Sequence, residues 1–204
     1  MKILSLIGLF LTICLSSCSI TQEYHFNRDF SGSTKLSIDM GTLLEMMAGL
    51  DSTGNQNKDM RDSLDFVFKE SAHKLDSLGM KNINYGWEEG ENVLYMSYDF
   101  DNIDQLNKAL NASSTQNSAF NKTISDEPHV YFTKKGKKSL IYTGPKSKND
   151  ISGNKDMESM KEYYKYAVIF NFERKIKAID NPNVTLSDDK KSAELRGSMF
   201  EIIR

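Results

Sequence analysis

Cysteine is nearly absent from this chain of 204 residues, and both copies, Cys14 and Cys18, fall within the first eighteen positions. The body after them holds no disulfide, no CxxC redox pair and no thiolate metal site. Charge of one sign is missing too: 26 Lys and Arg against 28 Asp and Glu leave a net −2. That excludes a global basic field for nucleic acid, and there is no acidic tail. Histidine is scarce, with His25, His73 and His129 as the three copies, and none of them stands at a zinc-binding spacing. No Gly-x-Ser-x-Gly elbow, phosphate-binding glycine loop or dinucleotide fingerprint occurs. Proline is rare, at three residues, and carries no functional reading.

One apolar run is present. Met1 and Lys2 give a charged start, Ile3 to Leu15 is almost all apolar, and Leu15-Ser16-Ser17-Cys18 closes it. The run is shorter than the roughly 20 residues a membrane span needs. Its order is that of a secretory leader: charge, apolar stretch, small residues. Leu15-Ser16-Ser17-Cys18 resembles the lipobox of bacterial lipoproteins. That resemblance implies cleavage before Cys18, a diacylglycerol on its thiol and an acyl chain on its new amine. Two or more chains, each contributing about 0.8 kcal/mol per buried methylene, hold a protein firmly to a bilayer. Removing residues 1–17 deletes Lys2 and no acid, so the mature charge becomes about −3. In lipoproteins a second mature residue other than Asp goes with outer-membrane sorting, and Ser19 is not Asp. The expected location is the periplasmic face of the outer membrane.

The expected organisation is a cleaved leader over 1–17, a lipidated tether over 18–23 and one α+β domain over 24–204. Tyr24, Phe26 and Arg28 alternate, Ser31-Gly32-Ser33 reads as a turn, and Leu36, Ile38 and Met40 alternate again. Leu43 to Met47 reads as one or two helical turns, and 51–58 as a loop. From Asp59, apolar residues recur at three- and four-residue steps from Met60 through Leu64, Phe68, Ala72 and Leu75 to Leu78, with Gly79 as the stop. Two strands follow, around Ile83 to Trp87 and Val93 to Tyr98. Asp101 reads as the N-cap of a short helix carrying Ile103, Leu106 and Leu110. Residues 111–128 and 144–156 read as polar loops around a hairpin, His129 to Thr133 and Ser139 to Thr143. Met157 to Tyr163 reads as a helical turn. Tyr166 to Phe172 gives a strong strand signal, continuing toward Ile179. Val184 to Leu186 and Ser192 to Leu195 flank a turn, and 197–203 is an apolar tail. Strands in adjacent pairs with helices between them predict an antiparallel sheet built from hairpins, with helices packed on one face.

Candidate chemistry is sparse. Asp99 to Asp104 resembles a calcium loop only in its acids: Ile103 and Asp104 stand where a third ligand and a glycine belong. Strand end plus capped helix explains it better. Glu88, Glu89 and Glu91 read as a solvated turn, and so do the four lysines of 134–138. Tyrosines and Trp87 concentrate in strands, where rings on an exposed face could bind glycan or apolar ligand, although strand propensity and core account for most. Asp51-Ser52-Thr53, Asp62-Ser63-Leu64 and Asp76-Ser77-Leu78 resemble O-glycosylation tripeptides of some exported proteins. No catalytic, metal-binding or cofactor-binding residue is nominated; Cys18 is nominated for lipidation. The expectation is a non-enzymatic, lipid-anchored envelope protein that binds a partner protein or supports an assembly, without nucleic acid. The alternative is a binding module for a small apolar or glycan ligand.

Overall fold

The computed structural model describes residues 18–50, 55–88, 92–114, 129–144 and 164–198. The strands are β1 (Cys18–Phe26), β2 (Gly32–Asp39), β3 (Lys81–Trp87), β4 (Val93–Phe100), β5 (Phe132–Lys135), β6 (Ser139–Tyr142), β7 (Tyr164–Phe172), β8 (Val184–Leu186) and β9 (Ser192–Ser198). The helices are α1 (Gly41–Leu50), α2 (Asn55–Ser77) and α3 (Ile103–Ser114). The α+β class holds. Seven strands form one sheet in the order β3-β4-β2-β1-β7-β9-β8, and β5 and β6 pair separately.

The large sheet is mixed, not antiparallel throughout. Its two central strands, β1 and β7, run parallel, with Tyr24 opposite Phe170. Tight turns force β1–β2, β3–β4 and β8–β9 to be antiparallel, but β7 returns after a long connection and is free to take either direction. A second correction concerns 18–23. These residues are not a tether; they are the first part of β1, in the middle of the sheet. Ile20, Gln22, Tyr24 and Phe26 lie on one face, and Thr21, Glu23 and His25 on the other. Buried Gln22 is satisfied: its Nε2 donates to Thr34 Oγ1 at 2.6 Å, and that hydroxyl donates to Glu23 O at 2.7 Å.

The Gln22–Tyr24–Phe26 face meets Leu94, Met96, Tyr98 and Phe100 of β4, and Val168 and Phe170 of β7, in one core. Helices α2 and α3 cover it with Phe68, Leu75, Ile103 and Leu106. The β5–β6 hairpin closes the same side through Phe132 and Tyr131. The turn after β1 spans Asn27 to Ser31, earlier than expected. Gly32 is already in β2, and a Cβ there would sit 1.8 Å from His25 O, so only glycine fits. Phe30 takes a positive φ of 70° to aim its ring at Phe26, 6.4 Å away edge-on.

Helix α2 starts at Asn55, inside the expected loop, and ends with Gly79 at φ +80°. Helix α3 is capped by Asn102, not Asp101. Asn102 Oδ1 accepts from Gln105 N at 2.9 Å, while Gln105 Oε1 accepts from Asp101 N at 2.6 Å. Replacing Asn102 by Ala should lower stability by about 1 kcal/mol, measured as a shift in the urea midpoint at constant m. Strand β7 ends at Phe172, short of Ile179. The expected helical turn at 157–163 lies outside the described residues, as do 51–54 of the first loop, 115–128 and 145–156 of the two polar loops, and 199–203 of the tail.

Candidate functional site

Cys18, the nominated lipidation residue, opens β1 directly. The strands around it are short of any linker. Ser19 is opposite Asp39 of β2 and Lys165 of β7. Asp39 is opposite Val93 of β4, and Asp39 Oδ1 accepts from Gly41 N at 3.0 Å, at the start of α1. One end of the sheet therefore carries Cys18, the end of β2, the start of β4 and the start of α1. Leu43 of α1 is exposed there. No described helix is long and apolar enough to cross a membrane.

A second assembly lies inside. Tyr24, Tyr98 and Tyr131 are buried, and Tyr142 and Tyr166 are partly exposed. Their phenols converge between the sheet and the β5–β6 hairpin. Burial raises the pKa of Tyr24 and Tyr142, and the fields of neighbouring phenols add to it. Burial alone raises Tyr98; burial first and Tyr131 second push Tyr166 up to about 12. These phenols stay protonated at neutral pH. They can donate and accept hydrogen bonds but cannot act as bases. The folded state holds these protons more tightly, so stability is full below the unfolded tyrosine pKa of about 10 and falls as pH rises above it. Tyrosinate absorbance should lag behind free tyrosine in alkaline titration, then jump on unfolding.

The hairpin over this cluster is held by two asparagines of α3. Asn107 Nδ2 donates to Phe132 O at 2.8 Å, and its Oδ1 accepts from Phe132 N at 2.9 Å. Asn111 does the same for His129, at 2.7 Å in both directions. Sequence reading missed this clamp; the signal was an Asn pair at i and i+4 on the helix face that carries Ile103 and Leu110.

The remaining nominated residues are dispersed. His25 is exposed, 3.5 Å from Glu23 and 3.4 Å from Asn171. His73 is exposed on α2. His129 stacks edge-on against Tyr131 and lies 3.2 Å from Thr143 O. In the Asp99–Asp104 string, Asp99 accepts from Asn82 at 2.6 Å and Asp101 pairs with Lys81 at 2.8 Å. Both carboxylates serve the β3–β4 end. Glu88 pairs with Lys35 at 2.6 Å, and Glu89 and Glu91 lie outside the described residues. Among the described residues no three His, Cys, Asp or Glu side chains come together to hold a metal. Ser63 and Ser77 donate to the carbonyls of Asp59 and Lys74 within α2; the tripeptide at 51–53 lies outside the described residues. Trp87 donates to Asp65 at 2.9 Å with Arg61 over its ring at 4.7 Å, so it is an edge clasp and not an open platform. Tyr95 lies on the opposite sheet face under Lys35, and Tyr85 is exposed on edge strand β3.

No family model matches this chain, and comparison with curated proteins and with solved structures found no match.

Proposed function

We infer that the chain is a lipid-anchored protein of the bacterial envelope that binds a partner instead of catalysing a reaction. One observation carries the reading: the leader ends in Leu15-Ser16-Ser17-Cys18, and that cysteine is the first residue of β1. An acylated Cys18 would leave no slack between lipid and sheet. The domain would sit against the bilayer by the end that bears α1, and the rest would face the periplasm from the outer membrane. The likeness of the leader to lipoproteins supports the anchor, and Ser19 supports the outer membrane.

Intact-mass measurement on protein extracted from native membranes in detergent tests this. The expected species starts at Cys18 and carries a diacylglycerol and an amide-linked chain. A chain that starts elsewhere, or starts there unmodified, ends the proposal.

The phenol cluster favours a second reading, binding of a small glycan or apolar ligand beneath the β5–β6 hairpin. Neutral phenols in apolar surroundings orient polar groups of a bound molecule. Co-purification of a small molecule that is lost from a Tyr24→Phe/Tyr98→Phe protein would favour it over a protein partner.

A further inference from the structure

The strongest unassigned feature is at the end of the sheet opposite Cys18. Four turns meet there. The β1–β2 turn touches the β5–β6 hairpin, because Lys134 Nζ lies 3.3 Å from Asp29 O and 5.3 Å from the centre of the Phe30 ring. It also touches the segment after β7, where Arg28 pairs with Glu173 at 3.4 Å and Glu173 N donates to Phe26 O at 3.2 Å. That segment is tied to the β8–β9 turn, with Ile176 N donating to Lys190 O at 2.7 Å and Phe172 N to Lys191 O at 2.9 Å.

Residues 27–31, 134–138, 173–177 and 187–191 together hold ten basic and four acidic side chains, all exposed, in a chain of net charge −2. Two of the four acids are turned into their own loops. Asp29 accepts from Ser31 N and Oγ at 3.0 and 2.8 Å, and Asp189 from Ser187 Oγ and Lys191 N at 2.7 and 2.9 Å. Among the described residues the close ion pair of this pole is Arg28 with Glu173; Lys134 acts on Asp29, and Lys191 and Lys175 on Asp189, only as weaker fields behind those hydrogen bonds.

We propose that this basic pole docks a hydrated anionic glycan, one bearing carboxylates or phosphates along its length. The composition selects that partner. Eight of the ten cations are lysines, compact point charges suited to a diffuse field and not to bidentate recognition. None of the exposed large apolar side chains lies on the four turns, whereas surfaces that enter a bilayer add apolar residues to basic ones. Exposed rings on which bases could stack are also missing from these turns. Protein interfaces are depleted in lysine at their centres.

The position adds a second argument, which rests on the lipid anchor. Eight residue steps along β1 lead from Cys18 to Phe26, about 26 Å at roughly 3.3 Å per residue. Screening at physiological salt acts over about 8 Å. A bilayer at the Cys18 end is beyond the reach of this pole, so the anion it meets is on a second surface facing the first.

The test is co-sedimentation of the detergent-solubilised full-length protein with isolated cell-wall peptidoglycan, at low and at physiological salt. Retention should fall steeply with salt. A Lys135→Gln/Lys137→Gln/Lys138→Gln protein should lose roughly tenfold in affinity, and adding Lys175→Gln/Lys190→Gln/Lys191→Gln should abolish retention. The substituted side chains are exposed, at strand ends or in turns, so thermal melts should be unchanged; if one set unfolds the protein, the other set decides. Unaltered retention of the variants, no retention of the parent at low salt, or tighter binding to phosphatidylglycerol vesicles or duplex DNA would each overturn the proposal. Repeating the assay with a Cys18→Ser protein made behind an ordinary secretory leader separates the two readings: glycan retention needs no lipid, so loss of the anchor alone leaves it intact.

Discussion

Replacing Phe132 by Ala is expected to lower stability by about 3–5 kcal/mol, the range for truncating a buried ring. Phe132 is 1% exposed and is the largest fully buried side chain described. Its ring meets Tyr24 edge-on at 4.8 Å, Phe26 at 5.5 Å and Phe170 at 6.2 Å, and lies 5.1 Å from Tyr142. Its ring reaches both β1 and β7, so its loss opens a cavity between the hairpin and the middle of the sheet. Its backbone is pinned by Asn107 from the other side, so the hairpin cannot simply slide inward. For a chain of this size the melting temperature should fall by roughly 10 °C. Thr133→Ala, an exposed neighbour on the same strand, should change it little. A loss below about 1 kcal/mol for Phe132→Ala would mean that the hairpin does not dock on the sheet as described.

The parts of this fold that could be read from sequence are those decided locally. The stripe from Met60 to Leu78 with Gly79 after it, the alternation at Val93 to Tyr98, and Tyr166 to Phe172 all state their period within one element. Neither the strand at 18–23 nor the parallel pairing did. Gln22 is a polar residue on the buried face, satisfied by Thr34 and the Lys35 carbonyl, twelve and thirteen residues away, so the apolar alternation that would announce a strand is broken at that point. Pairing of β1 with β7 joins segments at opposite ends of the chain, and no short turn carries that information. The cap at Asn102 in place of Asp101 is a one-residue choice between two equally good acceptors, and the Asp101 carboxylate is paired with Lys81 instead. Four of the strand tyrosines proved to be core, because their alternation places them on the face that α2, α3 and the hairpin cover. The basic pole was visible only as one lysine-rich turn at 134–138. The other contributions, Arg28, Arg174 to Lys177 and Lys190 to Lys191, are scattered over the sequence and meet because the strands between them all end on one side of the sheet.

Placed behind an ordinary secretory leader, a Cys18→Ala chain is expected to move from the membrane pellet to the soluble fraction almost completely. The leader must be exchanged as well, because an uncut leader would keep the apolar run of Ile3 to Leu15 on the protein and hold it in the bilayer by other means. With the exchange, the two proteins differ in the mature chain by one side chain and its acyl groups. The unaltered protein should resist washing with salt and carbonate and yield to detergent, since chains that each contribute about 0.8 kcal/mol per methylene do not depend on ionic contacts. Melting curves of the two should coincide, because residue 18 is at the outermost rung of β1 and the core begins further along the strand at Gln22 and Tyr24. A Cys18→Ala protein that stays in the pellet until salt is added would assign the attachment to the basic pole and not to lipid. One that stays there until detergent is added would point to apolar residues such as Leu43 of α1, at the same end of the sheet. Either result would remove acylation as the cause of membrane attachment while leaving the fold as it stands.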